Sequence, residues 1–411
     1  MIMHGMPVPI VFAVILGSLA VLAGPASAQP VQGDLVVTSD HKGSWSGAGI
    51  FYVTWPSTTL KTLRSSLTTN AVEIDHSNTG VMVIGTNTGT IYKVNSQGEP
   101  TTLTTYAHAG GVGMELDQDR TYMVVNFTDS RMYRLTTAGG VSTFLSFTAT
   151  HGQPNAICRD NNSGDWIVGT SKGLLLRVDR KTAYISTIRS GLGAVYDVEF
   201  MDQTGEFAVI QNTGLSIIRS TGSIRYSCRI SYANAVTVNN RTGAIFVATY
   251  LNRQIVELTP SASIVRTRAY NTPSNLQFTG IDIWADRTVH AFTSGERGAR
   301  VDVILRFPAS PDKPYAVALS MKQRPGIAFG AKNVLNLTLD PVFLLTAAGG
   351  LPYWTTGFSG TTYSGSGLAF AGFTIPWGLP AGSCIYVGAA AINSSAPNNL
   401  DVGNVVAIQV S

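Results

Sequence analysis

The sequence predicts an all-β protein, and three observations carry that reading. First, a short phrase recurs along the chain: a small or polar residue, an apolar pair, Asp or Asn, a turn, then an alternating apolar run. Its first copies are Asn70-Ala71-Val72-Glu73-Ile74-Asp75, Val112-Gly113-Met114-Glu115-Leu116-Asp117 and Asn155-Ala156-Ile157-Cys158-Arg159-Asp160. Three more follow: Asp197-Val198-Glu199-Phe200-Met201-Asp202, Asn234-Ala235-Val236-Thr237-Val238-Asn239 and Thr279-Gly280-Ile281-Asp282-Ile283-Trp284. A pitch of roughly 40 residues filled with short strands is that of a β-propeller. Second, the chain holds 42 Gly and only 13% charged residues, a mix that suits many strands joined by tight turns. Third, the repeat stops near Pro314, and the Gly-, Ala-, Ser- and Thr-rich remainder reads as a small antiparallel β-sandwich.

The elements follow in order. Residues 1–28 read as a signal peptide: 8–23 is apolar, and Pro25-Ala26-Ser27-Ala28 has the small-x-small form of a cleavage site before Gln29. The leading residues carry His4 but no Lys or Arg, so an uncleaved anchor is the alternative, although a full span needs about 20 apolar residues. The mature chain is expected to have no membrane span and to be secreted, periplasmic or held at the cell surface.

The propeller is expected over 29–313. Strand-like runs at 35–38, 50–55 and 58–63 lack a first strand. One complete repeat has strands at 71–75, 81–85, 90–94 and 101–106, with Gly, Asn and Asp at the turns. The same four-strand phrase returns in 112–147, 155–189, 197–230 and 234–270, and 279–307 supplies three strands more. This counts to seven blades, with six as the alternative. Closing the ring brings the two incomplete ends together, with 315–319 as donor of a missing strand. In the tail, 314–411, strand-like runs lie at 334–339, 367–375, 384–391 and 405–410. Pro341, Pro352, Pro376 and Pro380 disfavour helix there.

Composition also sets limits on partners. The formal net charge is +4 without a Lys/Arg block, so no nucleic-acid partner is expected. Three cysteines, Cys158, Cys228 and Cys384, are too few and too odd in number for a disulfide framework. Cys158 and Cys228 fall inside strand patterns and read as buried thiols. The sequence has no Gly-x-Ser-x-Gly elbow, no His-Glu-x-x-His, no phosphate-binding loop and no Cys-x-x-Cys.

Residues 34–307 resemble the NHL-repeat and gluconolactonase-like propellers, through the pitch and the strand phrase quoted above. The tail resembles the β-sandwich found after propellers in secreted proteins of environmental bacteria. The phrase starts each inner strand at the channel mouth with Asn70, Val112, Asn155, Asp197, Asn234 or Thr279. Gluconolactonase-like enzymes hold a divalent cation at that mouth. The resemblance therefore implies Asn155, Asp197 and Asn234, with Asn70 as a fourth, as oxygen ligands for Ca²⁺ or Mg²⁺. This chain has no counterpart of that family's glutamate, and the alternative is that these side chains bond to loop backbone.

His108 and His151 occupy the same repeat position in adjacent blades, in loops on the mouth face, where a propeller lyase of the streptogramin-cleaving type uses histidines. The second-to-third loops add His41 and Trp45 among mixed polar groups; an indole beside such groups suits a sugar or peptide. Ligand-binding candidates are thus His108, His151, Trp45 and His41, and no catalytic residue is assigned. The expected function is an exported binding module for a glycan, a peptide or a cell-surface protein. The alternative is a divalent-metal-dependent lactonase-like hydrolase or lyase.

Overall fold

The computed structural model describes residue 30 and the chain from 34 on, apart from 42–47, 106–110, 271–275, 285–288, 348–353, 393–399 and shorter stretches of one to four residues. The fold is a β-propeller with a docked β-sandwich.

Six four-stranded antiparallel sheets repeat one plan. In blade two, Thr69–Asp75, Gly80–Gly85, Thr90–Val94 and Pro100–Thr105 run from the inner to the outer edge. Blades three to six start on the inner strands Gly111–Leu116, Pro154–Arg159, Val195–Met201 and Ala233–Val238. Blade one is built from both ends of the repeat region. Its inner strand is Leu276–Ile283, paired with Leu35–His41; Gly49–Val53 and Lys61–Ser65 complete it. The six inner strands touch one another in order, and Leu276–Ile283 returns to Thr69–Asp75, which closes the ring.

Among the described residues the ring thus holds six sheets, the alternative count of the sequence reading, in place of seven. The segment 279–307 does not form a blade of its own. Its first strand supplies the edge that blade one lacks, while Val289–Phe292 and Arg300–Arg306 pair outward with Leu368–Thr374. Nor does the segment expected as strand donor join the ring: Pro314–Ser320 lies between Ser359–Thr361 and Cys384–Ile392 in the second sandwich sheet.

Burial explains why the strands sit where they do. Second strands such as Trp166–Thr170 and Ile245–Thr249 are buried at every residue, because a middle strand is covered by neighbouring blades on both faces. Outer strands such as Val141–Ser146 carry Ser, Thr and exposed residues and meet water. Each inner strand also carries a β-bulge near the mouth. The extra residue is Asn70, Val112, Asn155, Tyr196, Asn234 or Thr279 in the six blades. A bulge re-aims the side chains around it.

The sandwich packs Val301, Val303, Leu305 and Phe373 of one sheet against Val317, Ile385 and Val387 of the other. A short helix, Pro341–Ala347, interrupts the tail, against the expectation that Pro341 disfavours helix. Proline at the first helical position costs no hydrogen bond. Asp340 caps it, its Oδ1 accepting from Phe343 N at 2.8 Å, while Oδ2 accepts from Ser320 Oγ at 2.8 Å and Met321 N at 2.7 Å.

The sandwich docks on the base of blades three and four, on their first-to-second turns and the third-to-fourth turn of blade four. Tyr386 Oη donates to Asn162 O at 2.7 Å, Arg159 Nη2 to Ala407 O at 2.6 Å, and Lys181 Nζ to Val410 O. The base itself is tied by a buried ion pair across the two blades, Arg180 Nε to Asp117 Oδ1 at 2.9 Å. The opposite face, with the fourth-to-first and second-to-third loops, is where the candidate residues fall.

Candidate functional site

The bulges fix which residues are equivalent at the mouth. The counterpart of Asn155 and Asn234 in blade five is Tyr196, not Asp197. Asp197 lies one residue further in, at a position that the other blades fill with Ala71, Gly113, Ala156, Ala235 and Gly280. Blade five therefore departs from the repeat twice in succession. It puts an aromatic ring where the others have Asn, Val or Thr, and a carboxylate where they have Ala or Gly. The architecture asks the same of each blade, so neither departure is needed to build the ring.

Asp197 points into a narrow passage that Glu115, Glu199, Asp282, Asn234 and Tyr196 also line. Its Oδ1 accepts from Val198 N at 2.9 Å and its Oδ2 from Val236 N at 2.8 Å, which bridges blades five and six. Burial pushes its carboxyl up to about 7, with the charges of Asp282 and Glu115 adding to the rise, against two backbone bonds that favour ionisation. Burial, followed by the charges of Glu199 and Glu115, holds the Cys158 thiol well above its ordinary value. That thiol is no nucleophile at neutral pH.

The two asparagines act as latches between blades. Asn155 Nδ2 donates to Val195 O at 2.9 Å, and Asn234 Nδ2 donates to Phe278 O and Thr279 O, both at 3.2 Å. Asn155 Oδ1 is buried with no hydrogen-bond partner. An amide oxygen of this kind suits a hard cation, but the set offers only one carboxylate, and both of its oxygens already accept backbone bonds. Among the described residues, no three His, Cys, Asp or Glu side chains converge as metal ligands do. The Asn70 side chain lies outside the described residues.

Of the ligand-binding candidates, His151 is described. Its Nδ1 faces Thr148 Oγ1 at 3.0 Å and accepts from Thr148 N at 3.3 Å, and its ring meets Phe147 edge-on. It is tied down inside its own loop. His108 and Trp45 lie outside the described residues, as does the side chain of His41, the last residue of its strand.

A wider hollow opens beside the passage and shares Tyr196 with it. It measures about 690 Å³ and lies between blades five and six. Asn212 and Thr213 come from the second-to-third loop of blade five, Ser227 to Ile230 from its outer strand, and Ser231 and Tyr232 from the junction to blade six. Tyr196 is 42% exposed and Tyr232 55%. Sequence reasoning missed both tyrosines and Arg229. The available signal was the misfit of blade five to its own repeat.

No known protein family and no curated protein matches this chain by sequence. Similar folds occur among solved structures. A chain in the crystal structure of a nidogen/laminin complex matches 61% of this chain and 98% of its own length, with TM-score 0.53 and 13% identity. A catalytically inactive virginiamycin B lyase from Staphylococcus aureus, solved with quinupristin, matches 66% of this chain and 81% of its own, with TM-score 0.41 and 13% identity. A putative gluconolactonase matches 57% and 84%, with TM-score 0.43 and 12% identity. At such identity the likeness speaks for the fold alone: the chain is built as a β-propeller.

Proposed function

We propose that this chain is an exported binding module that takes its ligand at the propeller mouth, in the hollow between blades five and six. One observation carries the reading. Two half-exposed tyrosines and the polar residues Asn212, Ser227, Arg229 and Ser231 line one hollow, on the face that the sandwich leaves clear. Its volume falls within the roughly 300–1,000 Å³ of ordinary ligand pockets. Among the described residues, no helix is long and apolar enough to cross a membrane.

The test uses the chain from Gln29, displayed on glycan and peptide arrays beside a variant with Tyr196→Ala and Tyr232→Ala. Binding to a defined glycan or peptide that the double variant loses supports the reading. Binding that survives in the double variant overturns it.

Asp197 favours a second reading, a lactonase-like hydrolase or lyase. A carboxyl that titrates near 7 beside the mouth can take up a proton at neutral pH. Asn155, Asp197, Asn234 and Asn70 are the residues that would hold Ca²⁺ or Mg²⁺ there. Bound metal measured on the purified protein and on Asp197→Ala decides: a stoichiometric ion lost in the variant supports this second reading, and equal metal content in the two proteins removes it.

A further inference from the structure

We infer that the mouth hollow takes an acidic saccharide, stacked on Tyr196 and Tyr232 with its carboxylate at Arg229; this rests on the binding-module reading.

Tyr232 carries the argument furthest. It sits at φ +60°, in the left-handed region, in a turn closed by Ala233 N donating to Ile230 O. A bulky side chain there is an outlier, because its Cβ crowds the backbone, and glycine is the residue that enters the region without cost. The two other blade junctions described do use glycine at their left-handed positions, Gly152 at φ +79° and Gly191 at φ +74°. Packing does not repay the strain at Tyr232, since its side chain stands more than half out in solvent. Strain held at an exposed residue on the rim of a hollow marks a side chain kept for its contacts with something else.

The chemistry of the hollow selects the ligand. Tyrosines offer a flat apolar face with a polar tip, which suits the apolar face of a sugar ring. Asn212, Thr213, Ser227 and Ser231 supply directional donors and acceptors for ring hydroxyls. Arg229 is the one charged residue in the lining; it is exposed and has no ion-pair partner among the described residues. A guanidinium in that state matches a carboxylate through two parallel bonds. Carboxylates line the adjoining passage, so an anionic ligand is held in the hollow and kept out of the channel.

The experiment first places the chain from Gln29 on an array of acidic and neutral oligosaccharides and peptides. The strongest ligand is then titrated against wild type, Tyr232→Gly, Tyr232→Phe and Arg229→Gln, with urea unfolding of each protein alongside. The expected result has four parts. An acidic oligosaccharide binds. Tyr232→Gly weakens it at least tenfold while unfolding at higher urea than wild type. Tyr232→Phe keeps most of the affinity. Arg229→Gln loses at least fivefold together with much of the salt dependence. A neutral sugar or a peptide lost with the tyrosines but indifferent to Arg229→Gln overturns the ligand class and leaves the binding-module reading standing. Should Tyr232→Gly unfold at lower urea than wild type, the ring serves the fold and the inference fails. No ligand of any kind at the hollow overturns both.

Discussion

Asp197 makes the stability of this propeller depend on pH in a direction that most carboxylates do not. Its carboxyl stands at about 7 in the folded protein against an ordinary 3.8. The folded state therefore holds the proton more tightly than the unfolded chain does. Stability tied to this group is fully present below pH 4 and drains away as pH rises through 7; above that it is flat. With 1.36 kcal/mol per pH unit, the full span is about 4 kcal/mol. The variant Asp197→Asn is close in shape to the protonated acid but offers one acceptor where the backbone N–H groups of Val198 and Val236 each use one, so it carries a pH-independent deficit of about 1–3 kcal/mol. Near pH 4 the variant should trail wild type by that deficit. Between pH 4 and 7 the difference should move in the variant's favour by up to about 4 kcal/mol, and it should stay constant above that. Urea titrations at each whole pH unit measure it, and taking the difference between the proteins cancels every other titrating group. Parallel curves over pH 4–8 would refute the reasoning. A difference that moves the other way with pH would mean that the two backbone bonds outweigh burial.

Three further outcomes follow from the geometry. Arg180→Met leaves Asp117 without its closest cation inside the base of blades three and four, where neither side chain is more than 6% exposed; breaking a buried pair of this kind costs about 3–5 kcal/mol, read by urea unfolding. Asp340→Ala removes the cap of the sandwich helix and two further bonds to Ser320 and Met321, for a loss of about 1–2 kcal/mol on thermal melting. In the native protein, maleimide should label Cys228 in the mouth hollow well before the buried Cys158, with peptide mapping to assign the sites; equal rates would contradict the packing of the inner strand.

Much of the ring was legible because each blade repeats one local pattern. The strands of the second blade fall within two residues of where alternation and turn residues put them. Blade number was harder to read, since alternation finds strands but not partners. Nothing local in 276–283 says that its neighbour is 35–41 and not the strand that follows. The site was misaligned by one residue in blade five for a related reason. A bulge adds a residue without breaking the polar-apolar pattern, so the phrase alone aligns Asp197 with the asparagines and hides Tyr196. The sandwich helix is hard to read from sequence because Pro341 looks like a breaker until the capping Asp340 before it is taken into account.

Leu35–His41 and Leu276–Ile283 join the first-made and last-made parts of the ring. On the ribosome or in a translocon, the opening strands emerge with one edge bare and stay so until nearly all the propeller has been synthesised. An open edge of this kind invites pairing with other chains, and closing it late carries the entropy of a long loop. A product that stops short of 276 should therefore accumulate as sticky, protease-sensitive material, and supplying a peptide that spans 276–283 should rescue it in trans.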